Sequence, residues 1–297
     1  MEVGKGVERW VVDISKWRPS TEDFSLIISL LPHCDHSSIT RFVKLEDRKR
    51  ALVSRLLQYV LVNRVLGIPF DDIVIRRTPE GKPFLVCDKS KMEFPNFNFN
   101  VSHHGDYVAI ASEPICIVGL DIVSHSAPVN ETAQQFVQSF STYFSRLEWC
   151  HISNAASSDE MLKTFYRYWC LKEAFVKAVG SGVGYKLDDV EFRHTNWDNI
   201  SVKVAGQEFK DWKFWLMELG NNHSISIARG NPRSAIASYR TTLKQTEFEE
   251  NEYNIGLNLP NPSFTLLRVE DLVRLRHFAD NRRSIDILPT APHVSEE

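Results

Sequence analysis

The sequence lacks the features that mark membrane-spanning and exported proteins. No segment reaches 18 uninterrupted apolar residues, because arginines interrupt 52–66 and an acid followed by proline interrupts 107–123. The N-terminus has an acid at position 2 and only a short apolar stretch, which is unlike a signal or transit peptide. We therefore expect a cytosolic protein that does not bind a membrane.

Cysteine, glycine, proline and net charge are low as well. The five cysteines lie at least 20 residues apart and form no CxxC pair, which favours reduced thiols over a disulfide framework. The 13 glycines and 13 prolines are too few for a linker-rich or collagen-like chain. A net charge of −3 excludes a dedicated nucleic-acid coat, so we expect no nucleic-acid partner.

Apolar residues are abundant and divide the chain into two halves with a similar order of elements. The hydrophobic fraction is 43% of 297 residues, which suits about two domains with sizeable cores. In the first half, apolar residues at three- and four-residue steps predict a helix from about 40 to 66, and period-two strands follow as far as 122. In the second half, the helix predicted at 159–179 ends at three glycines, and four strands follow.

These patterns predict an α+β fold with three parts. We expect an N-terminal lobe at 1–123, a C-terminal lobe at 124–240 and a C-terminal extension at 241–297. The extension is polar, with one short helix at about 269–278 and a last dozen residues that look frayed.

The second long helix carries a charged pair in an apolar setting. Trp169, Glu173 and Lys177 lie four residues apart and therefore share one helix face. Such a Glu–Lys pair is usually a surface contact that contributes a few tenths of a kcal/mol. Here aromatic residues surround the pair, so it is either desolvated or used for chemistry.

Two predicted strands end in residues that could bind ligands. Asp121 follows a buried strand, where a carboxylate either caps the next turn or binds a hard cation. Ser102 and His103 end another strand, where a histidine is most often a core residue but two adjacent donors could also hold a phosphate.

Two basic sets complete the candidates. Arg41 and Arg50 belong to a cluster near the start of the first long helix, for which a solvated face is the simpler interpretation. Arg77 and Lys82 flank the turn TPEGKP. Each of these signals is weak alone.

Together the candidates lie in the order of a known family's motifs. The run VGLDIV (118–123), followed some fifty residues later by WCLKEAFVKAVGSG (169–182), resembles the paired motif of the phosphopantetheinyl transferases. GKP (81–83) and NFNFNVSHHGDY (96–107) are similar to upstream motifs of that family. The resemblance spans about residues 10–230 and is strongest to the monomeric, two-lobed Sfp type.

The resemblance implies a fold and a reaction. The fold has two similar lobes related by a pseudo-two-fold axis, each a long helix on a small, mostly antiparallel sheet. The reaction moves 4′-phosphopantetheine from coenzyme A to a serine of an apo carrier protein, with Mg²⁺, and releases adenosine 3′,5′-bisphosphate. The carriers implied are the acyl carrier domain of fatty acid synthase and the carrier domain of aminoadipate reductase, an enzyme of lysine metabolism.

The resemblance also implies roles for the candidate residues. Asp121 and Glu173 would bind the metal, and Lys177 would contact the pyrophosphate. Glu173 would also help to remove the serine proton, so Glu173 and Lys177 are the catalytic candidates. Nucleotide contacts would come from the remaining candidates: Arg41, Arg50, Arg77, Lys82, Ser102 and His103.

One departure from the family pattern leaves a second interpretation open. Many bacterial relatives have an acid two residues after the aspartate, where this chain has Val123. A water could take its place at the metal. Loss of that acid is the feature that favours a non-catalytic coenzyme A- or nucleotide-binding scaffold, whereas retention of Asp121 and Glu173 favours the enzyme. A plain protein-interaction domain would require all the matched motifs to be fortuitous.

Overall fold

Helices and strands follow one another throughout the part of the chain that the computed structural model describes, residues 3–220 and 222–276. The α-helices are α1 (Thr21–Ser29), α2 (His33–Thr40), α3 (Leu45–Leu66), α4 (Ala133–Ser139), α5 (Arg146–Ser153), α6 (Ser158–Val179), α7 (Ala237–Arg240) and α8 (Glu250–Leu257). The strands are β1 (Glu8–Asp13), β2 (Val74–Arg77), β3 (Pro83–Val86), β4 (Asn98–His104), β5 (Tyr107–Glu113), β6 (Ile117–Ser124), β7 (Val190–Thr195), β8 (Asp198–Val204), β9 (Gln207–Glu208), β10 (Trp212–Leu219), β11 (His223–Gly230) and β12 (Thr265–Leu267).

Each half packs one long helix on a small sheet. In the first half, α3 contacts β4 and β5 of a sheet with the order β12-β1-β5-β4, in which only the β12–β1 pair is parallel. In the second half, α6 covers β6 and β11 of an antiparallel sheet with the order β10-β11-β6. The predicted α+β class is therefore confirmed.

The first long helix starts later than the sequence pattern predicts. Instead of one helix from about 40, residues 33–40 form the separate helix α2, and α3 begins at Leu45. Glu46 and Asp47 lie in the first turn of α3, where acidic side chains favour a helix N-terminus. The predicted end is correct, because Gly67 takes a left-handed conformation with φ of 67°.

Polar side chains of β4 join the two sheets. Along β4, every second residue accepts a hydrogen bond of 2.8–3.2 Å from a backbone N–H of β6. The acceptors are Asn98, Asn100, Ser102 and His104, and the donors are Val118, Leu120, Ile122 and Ser124. Phe97, just before β4, and Phe99 are instead buried in the hydrophobic core that contains the apolar residues of α3. The alternating pattern of NFNFNVSHH thus serves a core on one face and a neighbouring strand on the other.

Strand β6 belongs by hydrogen bonding to the second sheet, because it pairs with β11 over its whole length. The lobe division predicted above ends the first lobe at 123 and so assigns almost all of β6 to the first lobe. Because β6 contacts β4 as well as β11, it is shared between the two halves, and the exact division remains a prediction.

The described part of the C-terminal extension packs across both halves. Tyr253 and Leu257 of α8 cover Cys116, and β12 adds to the edge of the first sheet beside β1. The buried guanidinium of Arg229 donates to the carbonyl of Leu257. Residues 269–276 are helical. The end of the predicted helix at 277–278 and the predicted frayed end lie outside the described residues.

Two further expectations can be compared with the structure. The five cysteines all carry free thiols. Within the described residues, no helix combines the length and the apolar character that a membrane span requires.

Candidate functional site

A cavity of about 840 Å³ lies between the two halves. Its wall is formed by α3, β4, the turn at 78–83 and α6. A volume of this size suits a ligand as large as a nucleotide cofactor. Most of the predicted site residues line it: Arg41, Arg77, Lys82, Ser102, His103, Glu173 and Lys177.

Asp121 lies directly behind this wall and is held by two lining residues. Its Oδ1 atom accepts hydrogen bonds from Lys177 Nζ at 2.5 Å and from Ser102 Oγ at 3.0 Å. Because Asp121 lies inside β6, its interpretation as a turn cap is wrong. Lys177 therefore pairs with Asp121 on β6. Its ammonium also lies 2.9 Å from Oγ of Ser102 on β4. The hydroxyl of Ser102 is thus already engaged within the protein.

Glu173 faces the same part of the cavity with a carboxylate that makes no hydrogen bond or ion pair to another described residue. Desolvation raises the pKa of Glu173, and the negative charge of Asp121 raises it further, against the opposing charge of Lys177. We call Asp121, Glu173 and Lys177 the carboxylate cluster.

Across the described residues, no group of three or more His, Cys, Asp or Glu could hold a metal. Val123, on the Asp121 face of β6, is buried and apolar.

Close packing of α6 on β6 brings the carboxylate cluster together. A Cβ atom at Gly119 would lie 1.8 Å from the carbonyl oxygen of Ala174, so only glycine allows the helix to approach this closely. Asp121, two residues farther along β6, therefore reaches the helix that carries Glu173 and Lys177. The glycine of VGLDIV is explained by this contact.

Lys82 lines the cavity, but its ammonium bonds to the protein itself. The buried Nζ atom donates to the carbonyls of Val118, at 2.9 Å, and Lys177, and it lies 4.5 Å from the ring centroid of Tyr239. Desolvation, followed by the charge of Lys177, lowers the pKa of Lys82 well below its usual value. Lys82 thus ties the turn at 78–83 to β6 and to the end of α6. Its implied role as a phosphate ligand remains a prediction.

A cluster of arginines forms another part of the wall, and it contains a residue that the sequence interpretation missed. Desolvation lowers the pKa of Arg77, and so do the nearby charges of Arg55 and Arg41. We call these three residues the arginine cluster. Arg55 falls on the polar side of α3 in the sequence pattern and looks solvated there. In the structure it lines the cavity, and its NH2 atom lies 3.0 Å from Oδ1 of the buried Asp35 on α2.

Arg50 does not join this cluster. Its guanidinium donates to the carbonyl of Gly105 at 2.7 Å and to Asp47 Oδ1 at 2.6 Å. It lines a separate cleft beside Gly105 and Asp106. The structure therefore brings Arg41, but not Arg50, to the main cavity.

His103 lies at the cavity wall and is exposed as a whole residue. Desolvation, followed by the positive charges of Lys177 and Arg50, lowers the pKa of His103 to about 4. The ring is therefore neutral at pH 7, and a negatively charged ligand would favour its protonated form.

Lys172, the neighbour of Glu173, has a different role from the rest of its motif. Its side chain is fully buried and pairs with Glu148 at 2.8 Å. The same ammonium donates to the carbonyls of Leu187 and Val190, which follow α6. Lys172 therefore anchors α5 and the segment after α6, on the side away from Asp121.

We expect Lys172→Met to unfold the protein more readily without a selective effect on chemistry. Removing one partner of a buried ion pair leaves the other charge uncompensated, which typically costs about 3–5 kcal/mol. Urea unfolding measures the change. Lys186→Met is the control, because Lys186 forms exposed pairs that contribute at most about 1 kcal/mol. Glu148→Gln should restore part of the loss in Lys172→Met. Equal losses in the two lysine variants would contradict this interpretation.

Comparison with known proteins agrees with this geometry. Residues 15–115 match the family model "4′-phosphopantetheinyl transferase, N-terminal", and residues 117–228 match "4′-phosphopantetheinyl transferase superfamily". The chain is 33% identical to mouse L-aminoadipate-semialdehyde dehydrogenase-phosphopantetheinyl transferase, over 89% of this chain and 84% of the mouse protein. The human protein of that name is 34% identical over 75% of each chain.

A solved structure of holo-(acyl-carrier-protein) synthase from Bacillus anthracis is also similar, with 15% identity over 38% of this chain and 94% of that chain. Its TM-score of 0.31 is too low to carry an argument. The two family models together cover both sheets and both long helices, and the similarity to the animal enzymes extends over most of the chain. This chain therefore belongs to the 4′-phosphopantetheinyl transferase family and is an enzyme of that transferase class.

Proposed function

We propose that the chain transfers the 4′-phosphopantetheine group of coenzyme A to a serine hydroxyl of apo carrier proteins and releases adenosine 3′,5′-bisphosphate. One observation carries the proposal: a single cavity is lined by Glu173 and Lys177, with Asp121 directly behind them, and by the arginine cluster. Coenzyme A has two separate anionic groups, a pyrophosphate and a 3′-phosphate. Two clusters that suit phosphate chemistry match those groups.

The carboxylate cluster can perform the transfer step. The serine oxygen forms a bond to the phosphorus that carries pantetheine, and the bond from that phosphorus to the bridging oxygen breaks. Glu173 takes the hydroxyl proton, directly or through a water, and its raised pKa brings it closer to the working pH of a general base. The leaving bisphosphate carries away the electron pair, and Lys177 compensates its charge.

The cluster also suits Mg²⁺. Magnesium needs only one or two protein carboxylates beside substrate phosphates and waters, and oxygen ligands are the type that it prefers. Asp121 and Glu173 are such carboxylates, and Glu173 has a free carboxylate at the cavity. Bound there, the ion would supply charge neutralisation at the pyrophosphate. Two carboxylates suffice for this, so Val123 does not contradict the proposal.

The proposal includes partners and a setting. The names of the mouse and human relatives refer to L-aminoadipate-semialdehyde dehydrogenase. These names support the carrier domain of aminoadipate reductase as a substrate. The acyl carrier domain of fatty acid synthase is the second carrier that we propose. We also propose that the protein is a monomer, as the two-lobed family members that it resembles are. The free thiols favour the cytosol.

Carrier labelling tests the function directly. The protein is incubated with Mg²⁺, coenzyme A and each of two unrelated apo carriers, and intact mass is measured. We expect a mass gain of one phosphopantetheine group per carrier. When Mg²⁺ is chelated before the reaction starts, we expect no mass gain. Coenzyme A binding without any labelling would instead support the non-catalytic scaffold.

The arginine cluster predicts a preference for the 3′-phosphate. Coenzyme A should bind more tightly than dephospho-coenzyme A by about 1.5–3 kcal/mol, since hydrogen bonds to a charged group are of this size. Arg77→Ala should shrink the difference, measured by calorimetry. Arg76→Ala is the control, because Arg76 is the exposed neighbour on the other face of β2 and lies outside the cavity lining. An unchanged preference in Arg77→Ala would assign the 3′-phosphate to other residues.

His103 predicts that coenzyme A binding takes up a proton. Its pKa is about 4 in the free protein, and a bound phosphate should raise that pKa toward the ordinary value of 6.5. Affinity should therefore increase as the pH falls through this window and should not depend on His103 above about pH 7. Calorimetry in two buffers of different ionisation enthalpy measures the uptake. His103→Asn separates it from protonation of the phosphate itself, and equal uptake in both proteins would refute the assignment.

A further inference from the structure

Away from the main cavity, the turn between β7 and β8 has a strained backbone. Its two central residues are Asn196 and Trp197, with φ of 50° and 68°. Positive φ at both positions is the mark of a type I′ hairpin turn, whose second position favours glycine, so a tryptophan there is strained. The strand register shifts by one residue at His194, the irregularity expected of a β-bulge. The turn therefore needs further contacts to keep this shape.

His194 supplies these contacts and joins the turn to two helices. Its ring stacks on the ring of Trp197, with centroids 4.1 Å apart, and its Nδ1 atom accepts the backbone N–H of Trp197 at 3.0 Å. Its Nε2 atom lies 3.0 Å from the hydroxyl of Tyr168, a fully buried residue of α6. The same hydroxyl lies 2.8 Å from Nδ1 of His151 on α5. We call His151, Tyr168 and His194 the histidine–tyrosine network.

One backbone donor determines where the protons of this network lie. Because the N–H of Trp197 can only donate, Nδ1 of His194 carries no proton, and the neutral ring has its proton on Nε2. Nε2–H then donates to the oxygen of Tyr168, whose own proton goes to Nδ1 of His151. Burial raises the pKa of Tyr168, so the hydroxyl keeps a proton to donate. Each bond in this series requires a neutral His194.

We propose that the histidine–tyrosine network is an acid-sensitive latch, in which protonation of His194 releases the β7–β8 turn from α6. A second ring proton would lie on Nδ1 and face the N–H of Trp197, so the hydrogen bond that holds the turn would be lost. The strained φ of Trp197 would then favour opening. Neither the network nor Trp197 lines the main cavity, so the latch is independent of the proposed transfer reaction.

The surroundings of the network favour a neutral His194. Charged groups lie near it on four elements: Glu148 of α5, Arg167 of α6, Glu191 of β7 and, paired with Arg167, Glu218 of β10. Desolvation, followed by the positive charges of His151 and Arg167, lowers the pKa of His194 from its ordinary value of 6.5. An open turn lets His194 bind a proton near that ordinary value, whereas the closed turn resists it. The closed form therefore loses stability as the pH falls through 6.5.

Hydrogen exchange at the backbone amide of Trp197 tests the latch, because that N–H is the group that His194 holds. In the full-length protein, the protection factor, corrected for the intrinsic exchange rate, should fall by about three- to tenfold between about pH 7.5 and 5.5. About tenfold is the limit for a histidine of pKa 6.5 that binds its proton only in the open form. His194→Asn keeps an acceptor near the position of Nδ1 but does not titrate, so its protection factor should change less than about twofold over this range. His33→Asn, at an exposed histidine of α2, is the control and should keep the wild-type pH dependence.

A second measurement uses the wild-type protein alone. Long-range ¹H–¹⁵N NMR spectra show which ring nitrogen of a histidine is protonated, and the His194 ring is identified by its proximity to the ring protons of Trp197. At pH 7.5 it should be protonated on Nε2 only. The inference would be overturned by a proton on Nδ1 at that pH, by Trp197 protection that does not change with pH in the wild type, or by an equal change in His194→Asn.

Discussion

Asp121→Asn should reduce carrier labelling about 10³-fold or more while it weakens coenzyme A binding far less. A metal ion at transferring phosphates contributes several kcal/mol to the transition state, and each 1.36 kcal/mol is a factor of ten in rate. Asparagine keeps the shape of a residue that is 5% exposed and can still accept a hydrogen bond from Ser102, so the fold should survive. Single-turnover labelling and calorimetry with coenzyme A measure the two effects on the same preparation.

A matched control separates loss of the metal ligand from loss of any ion-paired aspartate. Asp88 pairs with Lys91 at the surface and does not line the main cavity, so Asp88→Asn should label carriers at the wild-type rate. Raising the Mg²⁺ concentration should recover part of the activity of Asp121→Asn, because Glu173, the other proposed ligand, is unchanged. Full activity in Asp121→Asn would end the assignment of the metal to this cluster.

Local spacing predicts only part of the carboxylate cluster, because Asp121 lies more than fifty residues from Glu173 and Lys177 and was grouped with them through the family resemblance. Glu173 and Lys177 share a helix face by their four-residue separation, and the motif glycine before Asp121 lets that helix approach the strand. Helix period, strand period and glycine content are all visible in the printed order of residues. For that reason, the two long helices, most strands and the shared face of Glu173 and Lys177 are predicted from the pattern itself.

The arginine cluster could not be predicted in the same way. Arg55 appears on the polar face of α3, and its inward position depends on Asp35, twenty residues earlier. Because the sequence pattern predicted no helix at 33–39, where α2 carries Asp35, no partner for Arg55 was visible. This assignment depends on tertiary contacts, which helical periodicity does not encode.

Lys82 and Lys172 show the same limit for charged motif residues. In each case the residue type suits a phosphate contact, yet the ammonium is buried and bonded to backbone carbonyls. A buried lysine needs such partners, because an unpaired charge in the interior is costly. Motif membership alone therefore does not distinguish a lysine that binds substrate from one that supports the helix carrying the site.

Lys177→Met distinguishes the two kinds of lysine by rate. Lys177 is 30% exposed and contacts Asp121 and Ser102 at the cavity, so its ammonium can also reach a bound phosphate. If it neutralises the departing bisphosphate, the change should cut turnover at saturating coenzyme A by about 10²–10³-fold, as for loss of one transition-state contact. Stability should fall by no more than about 1 kcal/mol, because the pair is only partly buried.

Lys91→Met is the control for Lys177→Met, because it removes the lysine from the exposed pair with Asp88 and should leave turnover unchanged. Lys177→Arg tests whether charge alone suffices. Arginine keeps the charge, but its planar fork differs from a compact ammonium, so we expect only partial recovery. A role confined to holding Asp121 predicts instead that Lys177→Met loses metal affinity and recovers its turnover when Mg²⁺ is raised. Near-normal turnover of Lys177→Met at ordinary Mg²⁺, with an unchanged free energy of unfolding, would remove Lys177 from the catalytic residues. The charge of the departing bisphosphate would then be neutralised by the metal and the arginine cluster.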